Sequence, residues 1–452
     1  MLDESLKERM DAYRVLLLWQ KDGSFIKESG LSPFAMELAL GVCRRHLYLQ
    51  YFLKTLVKKV PSLEVCTVIE LGLFQMFFTE VPDHAAVATT VELIKAANLG
   101  EGSARLVNAV LHAARRSGLP QLPPQRVRRV SIENSVPEWL VRRWFDIYGG
   151  DRAEAMAKAT LERPVEWIRV NLQKTSAPVV AQKLGLTGAS ILYDRYIQVN
   201  ADAKLKPILE SESFAKGEFS LQNPAAYRVI QLLDLKPGLK VWDACAAPGG
   251  KSALMAEMDS SLDILASDVS EARVLKMHDL VDRLGLTNVR VECVDVLASS
   301  QGGVAGGQHL EQRSLVRMAT KVGGTPARGG SEQRNRASEG EASSFDRILL
   351  DVPCSNMGVI ARRPESVYRI TPESIKELVE LQFNLLESAS RALAPKGVLV
   401  YATCSPDPDE TTKVIGRFLK AHPEFEKAGA AVLPGTEDSR FDGFFAQALR
   451  RK

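Results

Sequence analysis

The spacing of apolar positions divides the chain into three stretches. Up to about residue 130 they recur at helical intervals, most clearly in VCTVIELGLFQMFF (65–78) and VATTVELIKAAN (87–98). Breakers at Pro61, Pro82, Gly100, Gly102 and Gly118 cut this stretch into short helices, and LPQLPP (119–124) closes it as a linker. A small all-α bundle is predicted. Between 131 and 225 a short amphipathic helix (PEWLVRRWFDIYG, 137–149) precedes WIRVNLQ (167–173), which alternates as a strand does. ASILYDRYIQVN and EFSLQN add strand character, so this stretch reads as a small α/β module. From 226 to 452 strands alternate with helices. The strands are LKVWDA (239–244), DILASD (263–268), NVRVECVD (288–295), FDRILLD (345–351) and GVLVYAT (397–403). That alternation predicts a doubly wound parallel sheet. Residues 299–344 break the pattern. They hold nine of the 31 glycines and almost no apolar periodicity, which predicts a disordered insertion in one loop and no extra domain.

Composition excludes more than it selects. The 452 residues are 45% hydrophobic and 25% charged, which fits neither a disordered chain nor a fibre. No apolar run reaches the length of a membrane span, and MLDESLKERMDAYR is too charged for a secretory signal. The six cysteines form no CxxC pair and are expected as free thiols in a reducing cytoplasm. The six histidines are scattered without ligand spacing, so no metal site is expected. Net charge is only +3, but it is unevenly spread. Residues 1–130 carry 17 bases and 13 acids, a net of +4, and six arginines lie between Arg105 and Arg129 with no acid among them. That run is either a solvated helix end or the electrostatic footprint of a polyanion.

Three motifs carry chemistry. DACAAPGGKS (243–252) follows a strand and opens a helix, so its backbone amides can approach a polar ligand closely. A phosphate-binding P-loop would need glycine at 245, where Cys245 stands, and the dinucleotide fingerprint GxGxxG is absent. A methyltransferase-type cofactor turn remains. Asp268 and Asp295 end the second and third strands of the sheet. Either could be a turn cap, but in register with the glycine turn they favour a bound nucleoside. LLDVPCSNMGVIARRPE (349–365) and YATCSPDP (401–408) each place a cysteine just past a strand, Cys354 and Cys404. A single such cysteine is usually apolar filler, whereas two on one ligand-binding edge suggest a nucleophilic thiolate.

AAPGGK, DVPCS and ATCS, in this order and spacing, resemble the S-adenosylmethionine-dependent RNA 5-methylcytosine methyltransferases. IELGLFQMFFTEVPDHAAV with RLVNAVL is similar to the NusB-type RNA-binding bundle. SVPEWLVRRW, WIRVNLQKTS and DGFFAQALRRK are similar to segments of the RsmB/Sun-type 16S ribosomal RNA cytosine-C5 methyltransferases. The resemblance covers the chain apart from the insertion. It implies a NusB-like helical domain over 1–130, a connecting module over 131–225, and a Rossmann-like methyltransferase with a mostly parallel seven-stranded sheet over 226–452. It implies further that Cys245, Ala246, Ala247, Pro248, Gly249, Gly250 and Lys251 line S-adenosylmethionine. Asp268 would hold the ribose, Asp295 would lie near the adenine, and Asp351 would border both cofactor and target base. Cys404 corresponds to the nucleophile and Cys354 to the cysteine that assists product release. The implied partner is small-subunit ribosomal RNA, the implied state a cytoplasmic monomer, free of membrane.

The implied chemistry explains the paired thiols. C5 of cytosine is a weak nucleophile, and addition of the Cys404 thiolate to C6 makes it enamine-like. The C5 proton and then the thiol must leave, which Cys354 could assist. The target base must be splayed out of its stack. RNA contacts would use the basic N-terminal stretch with Arg362 and Arg363. Departures from the family pattern are the insertion, the segment VCRRHLYLQYFL (42–53), and Ser-Pro-Asp-Pro after Cys404. A non-catalytic RNA-binding scaffold and the same chemistry on transfer RNA are the rival functions.

Overall fold

The structure is a computed structural model and describes residues 4–26, 30–200, 203–298, 344–432 and 442–452. The expected insertion at 299–344 lies outside the described residues apart from Ser344. The chain divides into two compact units, the first reaching Arg163 and taking in Ile360–Ile370.

The first unit is helical: α1 (Glu4–Asp22), α2 (Pro33–Arg44), α3 (His46–Leu56), α4 (Leu63–Phe78), α5 (Asp83–Ala96), α6 (Glu101–Ser117), α7 (Arg126–Asn134), α8 (Glu138–Tyr148) and α9 (Gly150–Ala159). Every residue of α4 from Val65 to Met76 is buried, because helices α1, α2, α3, α5 and α6 all pack on it. Among its buried polar groups, Glu70 pairs through Oε2 with His46 Nδ1 at 2.8 Å, and Gln75 Oε1 accepts from Arg9 Nε at 2.7 Å. Gly41 lets α2 approach, since a Cβ there would fall 2.0 Å from the Phe74 ring. The segment 42–53 is two helices, not one, because the backbone turns at Arg45 (φ −115°). From the excursion Ile360–Ile370, Tyr368 packs edge-on against Trp19 and His46 and donates to the carbonyls of Cys43 and Ser135.

The second unit begins with a four-stranded antiparallel sheet in the order β2-β3-β1-β4, built from β1 (Trp167–Val170), β2 (Ile191–Leu192), β3 (Tyr196–Gln198) and β4 (Phe219–Leu221). Helix α10 (Ala177–Lys183) covers it over a core of Ile168, Val170, Val180 and Ile197, with α11 (Leu205–Leu209) and α12 (Glu212–Ala215) following. Helix α13 (Ala225–Gln231) then leads into a seven-stranded sheet. Its strands are β5 (Lys240–Asp243), β6 (Asp263–Asp268), β7 (Val289–Cys293), β8 (Phe345–Asp351), β9 (Leu393–Thr403), β10 (Phe425–Lys427) and β11 (Phe445–Arg451). The order is β10-β11-β9-β8-β5-β6-β7, parallel from β7 to β9 and antiparallel at β11 and β10. All five expected strands of this sheet form. Helices α14 (Gly250–Met258), α15 (Glu271–Leu284), α16 (Pro372–Arg391) and α17 (Thr412–Ala421) cover its faces, leaving two apolar layers, one around Ile264 and Val400 and one around Ile348 and Leu399. Because β5 lies between β6 and β8, the chain order reverses there, and a crevice opens at the carboxyl ends of the strands.

Candidate active site

Loops leaving the carboxyl edge of β5, β6, β8 and β9 each carry expected site residues. After β5 the turn Cys245–Lys251 is pinned by Ala246 N donating to Ser267 O (2.8 Å) and Gly249 N donating to Ala246 O (2.7 Å). Gly249 has φ +95°, a left-handed conformation that a side chain would strain. The Ala247–Pro248 peptide is cis. Helix α14 starts at Gly250, so its free amides face the crevice side of the turn.

Asp243, at the end of β5, is fully buried. Its Oδ2 accepts from Ser252 Oγ at 2.6 Å, while Oδ1 has no partner among the described residues. Burial pushes its carboxyl up to about 7. Sequence reading marked it only as a strand end, because burial and the unpaired oxygen arise from packing. Asp268 is buried as well. Its Oδ1 accepts from Ser270 N and Arg273 Nη2, both at 3.0 Å, and Oδ2 stays outside these contacts. Asp295 lies beyond the edge strand β7, is exposed, and uses Oδ1 to accept Leu297 N at 2.9 Å. In this structure it caps a turn, the alternative that its sequence position left open.

The other side of the crevice holds the thiols. Parallel pairing sets Asp351 of β8 opposite Ala402 of β9, so the loops after them bring Cys354 and Cys404 together. Their Sγ atoms are 2.9 Å apart, and both cysteines are free. Cys404 Sγ also donates to Asn356 Oδ1 at 3.1 Å, and Asn356 sits at φ +62°, which asparagine tolerates. The hydrogen bond to Cys354 and then burial hold the Cys404 thiol well above its ordinary value, opposed by the charge of Lys251. Lys251 forms an ion pair with Asp351. Burial disfavours the Lys251 ammonium, but Asp351, together with Asp243 and Cys404, outweighs burial and raises the group. The cofactor turn and the thiol loops are thus joined through one ion pair.

Behind the thiols stands a residue that no sequence motif marked. Glu410 is fully buried and accepts hydrogen bonds from Ser355 N (2.9 Å), Ser355 Oγ, Ser405 Oγ and Gln382 Nε2 (3.0 Å). It ties the residue after Cys354 to the residue after Cys404. Gly358 N also donates to Cys404 O at 2.8 Å, and Gly443 N donates to Gly358 O at 2.8 Å. The only sequence signal for Glu410 was its place six residues past Cys404.

The basic stretch is less free than its sequence suggests. Asp83 pairs with Arg115 at 3.5 Å, and Asp151 and Glu154 pair with Arg126 at 2.7 and 2.6 Å. Arg105, Arg116 and Arg128 have no acidic partner among the described residues. Arg363 and Arg369 lie over the Phe25 ring.

Comparison with known proteins decides the family. Residues 230–445 match the model for 16S rRNA methyltransferase RsmB/F, residues 12–116 the NusB family, and residues 136–197 the RsmF/B-like ferredoxin-like domain. The probable ribosomal RNA small subunit methyltransferase B of Bacillus subtilis is 32% identical over 98% of this chain and 96% of its own. The chain belongs to the RsmB/F methyltransferase family. Ribosomal RNA small subunit methyltransferase B of Klebsiella pneumoniae is 30% identical over 92% of this chain and 89% of its own. The crystal structure of PH0851 shares the fold, with a TM-score of 0.74 at 22% identity over both whole chains.

S-adenosylmethionine is the methyl donor of this RsmB/F enzyme. The crevice fits it on three observations: the left-handed turn at Gly249, the helix N-terminus at Gly250, and two buried carboxylates, one with an unpaired oxygen. No helix of the described residues is long and apolar enough to cross a membrane.

Proposed function

We propose that the protein transfers a methyl group to C5 of a cytidine in small-subunit (16S) ribosomal RNA through a covalent Cys404–C6 intermediate. The single observation that carries this reading is the 2.9 Å pairing of Cys354 and Cys404 beside the Lys251–Asp351 ion pair. Methylation at C5 of a pyrimidine calls for a nucleophile that adds at C6 and a group that manages a proton, which paired thiols can supply.

The cofactor turn 245–251 binds S-adenosylmethionine, with Asp268 on the ribose hydroxyls and Asp243 Oδ1 free to accept a donor. When bound, S-adenosylmethionine supplies an electrophilic methyl group. The Cys404 thiol gives up its proton to solvent, its sulfur bonds C6, and the electron pair of the C5–C6 double bond becomes available at C5. Once C5 carries the methyl group, its proton passes to a solvent water, the C5–H electron pair restores the C5–C6 double bond, and the Sγ–C6 pair leaves with Cys404 as the thiolate. Cys354, in contact with Cys404 Sγ, assists that elimination. Lys251 stabilises the released thiolate, and Asp351 orients Lys251 and faces the base. Residues 1–130 bind RNA, 131–225 connect, and 226–452 carry the chemistry, in a cytoplasm that keeps both thiols reduced.

Incubation with methyl-labelled S-adenosylmethionine and 16S ribosomal RNA, followed by bisulfite sequencing, tests this reading. Cys404→Ala is expected to transfer no methyl group. Cys354→Ala is expected to leave an RNA–protein adduct that survives a denaturing gel. Full activity in Cys404→Ala overturns the covalent mechanism, and a modified base other than cytosine overturns the substrate.

A further inference from the structure

The small antiparallel sheet carries a feature that the mechanism does not use. Strands β2 and β3 are joined by a tight turn in which Tyr193 (φ +51°) and Asp194 (φ +57°) are both left-handed, closed by Arg195 N donating to Leu192 O at 3.1 Å. Glycine or asparagine suits such a turn, and a tyrosine there is strained. Burial in the core does not compensate, because Tyr193 stays 40% exposed. Its ring stacks on Tyr227 of α13, with centroids 4.7 Å apart and planes 29° from parallel. Beside the stack, Arg195 is 91% buried and lies 5.5 Å over the Tyr227 ring. Its Nε and Nη1 have no hydrogen-bond partner among the described residues. A buried guanidinium with unmet donors next to an exposed aromatic face is suited to a phosphate and a base together.

The feature is also wired to the cofactor turn. Tyr196, next to Arg195, donates its hydroxyl to Gln222 Oε1 (3.0 Å). Arg169 Nη1 donates to the same oxygen and to Gly250 O, both at 2.7 Å. Arg169 is held in turn by Glu257 at 2.8 Å, both side chains being fully buried. The turn that presents Tyr193 is thereby fixed relative to α14.

We infer that Tyr193, Tyr227 and Arg195 form a nucleotide-binding platform for an unpaired segment of the RNA substrate, with a base stacked on the exposed Tyr193 face and its phosphate on Arg195. This inference rests on the RNA substrate proposed above. Stacking on a tyrosine tolerates any base, so the platform adds affinity and positions the strand without selecting its sequence.

The test uses the full chain and a fluorescein-labelled single-stranded oligocytidine RNA, read by fluorescence anisotropy. Tyr193→Gly suits the left-handed turn, so its melting temperature should equal or exceed that of the unaltered protein. Its RNA affinity should fall about tenfold, with S-adenosylmethionine affinity unchanged. Tyr193→Phe should bind as the unaltered protein does. Arg195→Gln should lower the slope of log affinity against log salt by about 0.7, the value for one phosphate on a single strand. Undiminished RNA binding by Tyr193→Gly, or an unchanged salt slope in Arg195→Gln, overturns the platform. Weakened binding in Tyr193→Gly upholds the platform even if the unaltered protein methylates no cytosine. Full affinity in Tyr193→Gly beside normal cytosine methylation rejects the platform and leaves the enzyme reading standing.

Discussion

Cys354 Sγ and Cys404 Sγ stand 2.9 Å apart at the ends of two neighbouring parallel strands, and that contact is the largest influence holding the Cys404 thiol protonated. In the resting protein the nucleophile is therefore masked. Removing Cys354 should unmask it. Cys354→Ala is expected to shift the pH dependence of Cys404 alkylation by iodoacetamide to lower pH, so that the rate at about pH 8 rises. Mass mapping of the modified peptide separates Cys404 from the buried Cys43 and Cys66. An unchanged or higher alkylation midpoint would show that burial, not Cys354, governs the thiol.

Glu410 sets the spacing of the two thiol loops by accepting from both Ser355 and Ser405. Glu410→Ala would leave the Ser355 amide, and the Gln382 N–H not bonded to Pro353 O, buried without an acceptor, at about 1–3 kcal/mol for each. Its melting temperature should fall. Glu410→Gln keeps the shape and part of the bonding. It should fold, with kcat lowered and the affinity for S-adenosylmethionine, measured by calorimetry, kept. A loss of cofactor affinity equal to the loss of kcat would argue that Glu410 supports the whole domain, not the thiol pair.

Gly358 has no room for a side chain. A Cβ there would lie 2.2 Å from Gly443 O and 2.7 Å from Cys404 O. Backbone, not a flexible side chain, is in the way, so Gly358→Ala must displace the Gly443 backbone and strain the adjoining Cys404 loop. A destabilisation of about 1–3 kcal/mol is expected, as for overpacking in a core. Denaturant titration measures it, and methyl transfer should fall further than stability alone explains. A variant with unaltered stability and rate would mean the loop moves aside freely.

The Asp243 carboxyl is raised by burial to about 7, which makes stability depend on pH. The folded protein holds this proton more tightly than the unfolded chain does. Its contribution is therefore complete below the unfolded carboxyl value of about 4 and is lost as pH rises through about 7. Asp243→Asn removes the titration and keeps an acceptor for Ser252. Thermal melts between about pH 5 and 8 should show the unaltered protein losing stability relative to Asp243→Asn as pH rises. Parallel curves for the two proteins would place the carboxyl in a more polar setting.

The strand ends and the two cysteine motifs were legible in the sequence because each is a local pattern: a run of apolar residues, a glycine turn, a cysteine at a fixed distance past a strand. DILASD and FDRILLD match β6 and β8 residue for residue. Charge was less legible. The arginine run from Arg105 to Arg129 contains no acid, yet folding brings Asp83, Asp151 and Glu154 to it, because helices α5 and α9 pack beside its ends. A linear charge count cannot see partners that distant.

Patterns along the chain suffice for the helical bundle, the alternation that builds the parallel sheet, the turn at Gly249–Gly250, and the presence of two thiols at strand ends. These depend on periodicity and on the conformational preferences of single residues, which neighbours along the chain express. It takes the folded chain to make Cys354 and Cys404 meet, Lys251 reach Asp351, Glu410 join two loops, and Arg195 lie buried over Tyr227 with Nε and Nη1 unbonded among the described residues. The reason is that β-strand register and burial bring together residues 50 to 100 positions apart in the chain. Their energies depend on that desolvated proximity, and no local pattern encodes it.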